Sequence, residues 1–122
     1  MKFTIKETNF TLTPNEYVYI EKKLNSLDKF LKHMDFVAEA RVEVGKTSQH
    51  HRTGNVYRAE VQIHLPGKSI RSEAVAKNIM AAINEVKDEL QREFKQYKQK
   101  QAAKQKKGGR KFKQLLRKLY EQ

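Results

Sequence analysis

Apolar and polar residues alternate from the first positions of the chain. Phe3 and Ile5 fall on one side and Lys2, Thr4 and Lys6 on the other, the two-residue period of a half-buried strand over Lys2–Glu7. The period then changes. Thr13-Pro14-Asn15-Glu16 places a hydroxyl at a helix N-cap, proline at the first helical position and glutamate three residues after the cap, which predicts a capping box. Behind it Tyr17, Ile20, Leu24, Leu27 and Leu31 recur at helical spacing, predicting a helix that buries all five and ends near Lys32 or His33. Alternation returns over Val37–Lys46, with Ala38, Ala40, Val42 and Val44 inward, and over Tyr57–Leu65, with Tyr57, Ala59, Val61, Ile63 and Leu65 inward. Glu39, Arg41 and Glu43 oppose the first set, and Arg58, Glu60, Gln62 and His64 the second, so each strand has one wet face.

Between these strands, Gly54-Asn55 reads as a turn and Gln49-His50-His51-Arg52 as a polar loop tip. Pro66-Gly67 turns the chain into a fourth strand, Lys68 to Val75, with Ile70 and Ala74 inward and Arg71 and Glu73 outward. From Ala76 to about Lys107 runs a long helical pattern. Ile79, Ile83, Val86, Leu90, Phe94 and Tyr97 form its apolar stripe. Gly108-Gly109 predicts a break, and Phe112, Leu115, Leu116 and Leu119 then mark a short basic amphipathic segment. The order is β-α-β-β-β-α. Every stripe is buried by one α+β arrangement: a four-stranded, mostly antiparallel sheet with two helices packed on one face.

Composition adds the charge. The chain of 122 residues, long enough for one core of two layers, has a formal net charge of +12. Residues 1–94 contribute 15 basic and 13 acidic side chains, residues 95–122 contribute 11 and 1. Positive charge is therefore concentrated where the long helix leaves its apolar stripe, the footprint of a protein that meets a polyanion. The sequence predicts two units, an α+β domain over residues 1–107 and a flexible basic tail over 108–122. There are no cysteines, which excludes disulfides, thiolate metal sites and cysteine nucleophiles. No apolar run reaches signal-peptide or membrane-spanning length, so a cytoplasmic protein with no membrane partner is the expectation.

Candidate chemistry is sparse. His50 and His51 have no third ligand nearby and read as exposed loop residues, not a metal site. His64 projects from the wet sheet face. Glu39, Glu43, Glu60 and Glu73 share that face with Arg41, Arg58 and Arg71, which predicts cross-strand ion pairs in place of an acid–base pair. No enzyme, cofactor or small-molecule substrate is expected.

The element order resembles the ribosome hibernation promoting factor and ribosome-associated inhibitor family over about residues 1–100. The residues that carry the likeness are Thr13 opening a helix with Tyr19-Ile20 and Lys23-Leu24, the Leu65-to-Glu73 turn and strand, and Ala81-Ala82-Ile83 followed by Leu90, Arg92 and Tyr97-Lys98. Asn78, Met80 and Asn84 stand where the family often has aspartate, tyrosine and aspartate. The resemblance implies a partner, the small ribosomal subunit and its rRNA, bound in the channel for mRNA and tRNA in non-growing cells, so that translation is repressed by occupancy. It implies RNA contacts at the basic helix positions Lys22, Lys23, Lys29, Arg92, Lys95, Lys98 and Lys100. The long form's second, dimerising domain does not fit in this length, and self-association is left open. Two other readings stand beside it: a general structured-RNA-binding domain, and a regulator that meets a partner or membrane surface through Phe112–Tyr120.

Overall fold

The computed structural model describes residues 1–32, 34, 36–47 and 56–120, with side chains described as far as residue 103. The elements follow the expected order: β1 (Lys2–Thr8), α1 (Pro14–Asn25), a 3-10 turn (Asp28–Phe30), β2 (Glu39–Lys46), β3 (Tyr57–Leu65), β4 (Lys68–Ala76) and α2 (Ile79–Tyr120). The four strands lie in the order β1-β2-β3-β4. β1 runs parallel to β2, with Ile5 opposite Val42, because α1 carries the chain back before β2 begins. The β2–β3 and β3–β4 pairs are antiparallel hairpin partners. At the second hairpin Gly67 has φ 76°, the left-handed value that the second residue of a Pro-Gly turn needs and that glycine adopts without strain.

α1 opens as its sequence dictates. The Glu16 backbone N–H donates to Thr13 Oγ1 at 3.2 Å and the Thr13 N–H donates to Glu16 Oε1 at 2.9 Å, closing the capping box. The helix ends at Asn25, earlier than its spacing predicts, and the 3-10 turn follows. Ser26 favours that stop, since its hydroxyl donates to the Lys23 carbonyl at 2.5 Å and so competes for the last-turn acceptors. Leu27 and Leu31 are nevertheless buried as expected, and Phe30 joins them. Tyr17 does not: it is 43% exposed, and burial along α1 is confined to Ile20 and Leu24.

β2 begins two residues later than its alternation suggests, although Ala38 is buried just ahead of it. At its far end Gly45 faces Thr8 of β1. A Cβ on Gly45 would lie 2.5 Å from the Thr8 carbonyl oxygen, so this close strand approach requires glycine.

Ala76, read as the start of the long helix, is instead the last residue of β4. α2 starts at Ile79, where Asn78 Oδ1 accepts the Ala81 N–H at 2.8 Å, the hydrogen bond of an N-cap. The helix packs on β3 and β4, and α1 packs on it. Ile79, Ala82, Ile83, Val86, Leu90 and Phe94 are sealed in the core with Val42, Val44, Val61, Ile63 and Ile70 of the sheet. Tyr97 closes the stripe, 5% exposed, its hydroxyl donating to the Pro66 carbonyl at 3.3 Å. Ser72 is polar and buried on the same face, and its hydroxyl donates to Glu89 Oε2 at 2.8 Å.

The break predicted at Gly108-Gly109 is absent from the backbone, and α2 runs on to Tyr120. Each glycine costs about 1 kcal/mol relative to alanine. The neighbouring lysines, glutamines and alanines from Gln101 to Lys107 are strong helix formers and carry the helix across. The His50-His51 tip and the Gly54-Asn55 turn lie outside the described residues, as do the side chains of Phe112, Leu115, Leu116 and Leu119.

Candidate nucleic-acid interface

The two faces of the molecule manage charge in opposite ways. On the wet face of the sheet, Arg58 and Arg71 lie between Glu43, Glu60 and Glu73, brought together by the β2–β3–β4 register. Arg58 Nε donates to Glu73 Oε1 at 2.7 Å and its NH2 group donates to Glu60 Oε2. Arg58 also lies 3.6 Å from Glu43. Arg71 Nε donates to Glu60 Oε1 at 2.7 Å and its NH2 group to Glu73 Oε2 at 3.2 Å. The bond from Arg71 does most to hold the Glu60 carboxyl below its ordinary range, with Arg58 adding to it. The bond to Glu73 does most to raise Arg58, and the bond to Glu60 does most to raise Arg71. The expected cross-strand ion pairing is present for Arg58, Arg71, Glu43, Glu60 and Glu73, whose charges are spent on one another, while Glu39 and Arg41 take no part in it among the described residues. His64 Nδ1 lies 2.8 Å from Ser69 Oγ, exposed at the hairpin end.

The helical side keeps its cations open. Lys22 is exposed on α1, pointing away from the layer formed by Ile20 and Leu24. Lys23 lies beside it, its Nζ 5.4 Å from the centroid of the Tyr19 ring. Lys29, in the 3-10 turn, places Nζ 5.2 Å from the Phe30 ring centroid. Lys95 of α2 reaches the same ring, at 6.0 Å. Two basic sets distant in sequence thus meet over one aromatic. Lys98, one turn beyond Lys95 and exposed, continues that side of α2.

The remaining two expected contacts separate from this group. Arg92 lies with Glu89, Glu93 and Gln96 around a shallow depression, beside two carboxylates that are engaged by Ser72 and Lys68. Lys100 is exposed and follows Glu93 and Gln96 along the helix, on the β4 side; Glu93 itself reaches Lys68 of β4 at 3.8 Å.

Three residues of this side escape a reading of the sequence. Phe30 is out of phase with the α1 stripe until the 3-10 turn rotates it inward. Lys32 is exposed next to Lys29, around a depression shared with Leu31, Phe36 and Val37. Lys87 is half-buried, 3.6 Å from Asp88, and its spacing of eight residues from Lys95 is the signal that would have found it.

Among the described residues no group of three histidine, cysteine, aspartate or glutamate side chains could hold a metal ion, and no helix is long and apolar enough to cross a membrane. What the helical side offers is a display of ammonium groups backed by aromatic rings, suited to phosphate oxygens.

Comparison with known proteins bears on that display. The family described as Sigma 54 modulation protein / S30EA ribosomal protein matches residues 3–102. A ribosome hibernation promotion factor of Picosynechococcus sp. is 29% identical over 100 residues, which are 82% of this chain and 50% of that protein. Another of that name, from Deinococcus radiodurans, is 30% identical over 97 residues, 79% of this chain and 48% of the relative. The chain spans about half the length of the curated relatives it matches. The crystal structure of the Thermus thermophilus Protein Y N-terminal domain superposes with a TM-score of 0.67 at 28% identity, over 80% of this chain and 99% of that one. A ribosomal subunit interface protein from Coxiella burnetii shares the fold, with a TM-score of 0.64 at 15% identity over 80% and 98% of the two chains.

Proposed function

The chain belongs to the Sigma 54 modulation protein / S30EA ribosomal protein family, and on that premise we propose that it is a ribosome hibernation factor that binds the small ribosomal subunit through its helical side. The observation that carries the reading is the meeting of Lys29 and Lys95 over Phe30. It makes one cationic surface from two elements, on the opposite side of the molecule from a sheet face whose Arg58 and Arg71 are taken up by carboxylates. Lys22, Lys23, Lys29, Lys95 and Lys98 are the principal phosphate contacts, and Arg92 and Lys100 lie at the margin. Such contacts carry no base sequence. Selection of one site comes from shape, as the two-helix layer seats its lysines on separate RNA strands at once.

Occupancy of the channel between head and body, where mRNA and tRNA would lie, represses translation without chemistry. Residues 1–107 form the ribosome-binding unit, and residues 108–122, with five basic side chains, add a second anchor by raising the local concentration of cation near RNA.

Sedimentation of the purified protein with separated subunits and whole ribosomes tests this. The expected result is co-migration with the small subunit and with whole ribosomes at about one copy each, lost when Lys22, Lys23, Lys95 and Lys98 are changed to glutamine. A protein that stays at the top of the gradient while still binding duplex RNA overturns the ribosomal reading in favour of general RNA binding.

A further inference from the structure

We propose that Phe30 is a positioning residue that joins Lys29 and Lys95 into a two-pronged clamp for a single RNA backbone phosphate. The inference rests on the reading above that this side of the molecule meets ribosomal RNA. Two lysines of like charge repel each other, and each long side chain keeps its rotamer freedom in water. Left alone they would splay apart. Phe30 opposes this because its ring is fixed: it is 9% exposed and belongs to the core cluster with Leu27, Leu31 and the apolar stripe of α2. The negative face of an aromatic ring attracts an ammonium within about 6 Å of its centroid, and both lysines meet that limit, at 5.2 and 6.0 Å.

The other rings that attract cations do something simpler. Tyr19 holds Lys23 of its own helix, and Tyr57 holds Lys46 on the neighbouring strand. Among the described aromatic residues, Phe30 is the one that gathers cations from two separate elements. Neither Lys29 nor Lys95 is in an ion pair among the described residues, so both ammonium groups keep N–H donors for an anion. A phosphodiester presents two non-bridging oxygens that share one negative charge. One ammonium on each oxygen uses both prongs.

Two lysines on one phosphate give a signature that separate contacts do not. The salt dependence of binding counts neutralised phosphates, about 0.9 of slope for each in a duplex. K29Q/K95Q therefore lowers the slope of log affinity against log salt by about one such contact, whereas two independent contacts would lower it by two. F30L leaves the charge unchanged but removes the ring face, and weakens binding by about five- to thirty-fold. F30Y, which retains the face, restores it.

The experiment measures binding to isolated small subunits from 50 to 200 mM salt for the wild type, F30L, F30Y, K29Q/K95Q and the combined F30L/K29Q/K95Q variant. In the free protein, proton resonances of the Lys29 and Lys95 ε-methylene groups are recorded alongside, since a nearby ring shifts them. Support consists of ring shifts at both lysines that vanish in F30L, a one-contact change in slope, and an F30L defect that disappears once both lysines are glutamine. A defect that persists without the lysines shows that Phe30 acts through the fold alone and overturns the clamp. So does a two-contact change in slope, the absence of ring shifts, or F30L binding as tightly as wild type. Failure of the wild type to bind small subunits is a different result: it removes the ribosomal reading and the clamp with it, while the ring shifts remain.

Discussion

Replacing Lys22 and Lys98 by glutamine asks whether the two helices touch RNA at separate phosphates. Lys22 projects from the outer side of α1, and Lys98 lies one turn past the Phe30 junction on α2; both are exposed. Each contact to a duplex phosphate contributes about 0.9 to the slope of log affinity against log salt. Over a fourfold rise in salt, from 50 to 200 mM, one contact therefore costs about 3.5-fold in affinity and two cost about twelvefold. K22Q/K98Q is expected to lower the slope by about 1.8, so its binding curve approaches that of the wild type as salt rises. Arg92 provides the contrast, because it shares a shallow depression with Glu89 and Glu93 and R92Q should change the slope by less than about half a contact. Exposed lysines away from ion pairs contribute little to folding, so both variants should unfold within about 0.5 kcal/mol of wild type. Titrating labelled protein with small subunits at four salt concentrations reads the slopes. An R92Q slope reduced as far as that of K22Q/K98Q would refute the assignment of the face.

Gly45→Ala drives a Cβ to 2.5 Å from the Thr8 carbonyl oxygen and should destabilise the protein by about 1–3 kcal/mol or more, measured as a lowered urea midpoint; an unchanged midpoint would mean that β1 shifts freely. Thr13→Ala removes the hydroxyl half of the α1 capping box, with an expected loss of about 1 kcal/mol in thermal or urea unfolding, and a loss below the error of the assay would show that Pro14 and Glu16 suffice to start the helix. The carboxyl of Glu60 is held below its ordinary range of 4.5, first by its bond from Arg71. Its stabilising contribution is therefore complete above about pH 4.5 and lost as pH falls through the lowered value. E60Q should be less stable than wild type by up to about 1 kcal/mol at pH 7 and equal to it at strongly acid pH; a gap that persists in acid would contradict the ionic account.

Much of the fold is legible because local chemistry and tertiary packing agree. Thr13-Pro14-Asn15-Glu16 encodes the start of α1 through residues three apart, and alternation marks β1, β3 and β4 because one face of each strand is wet. Where a third element decides, the sequence misleads. Tyr17 has the spacing of a core residue, yet it stays 43% exposed in the first turn of α1. Phe30 carries no periodic mark, since a change of helix type, and not the spacing itself, brings it inward. Gly108-Gly109 signals a break by propensity alone, and the helix-forming residues before it outweigh the pair. The cationic positions could be chosen from sequence, but their grouping could not. Lys29 and Lys95 meet only through the packing of the 3-10 turn on α2.

The closed arginine–glutamate network on the sheet has a consequence for how the molecule turns as it approaches a polyanion. Its two guanidinium groups and three carboxylates leave that half of the sheet with no attraction beyond a Debye length of about 8 Å. The helical side and the α2 extension keep theirs. The electric moment of the protein would therefore exert a torque that turns the helices toward a polyanion before contact, and few encounters would begin with the sheet. Salt would then act mainly on the association rate constant, which this alignment governs, and less on the dissociation rate constant, which depends on short-range packing. Reversing Glu60 and Glu73 to lysine would blur the alignment: the protein would arrive more often, in the wrong orientation.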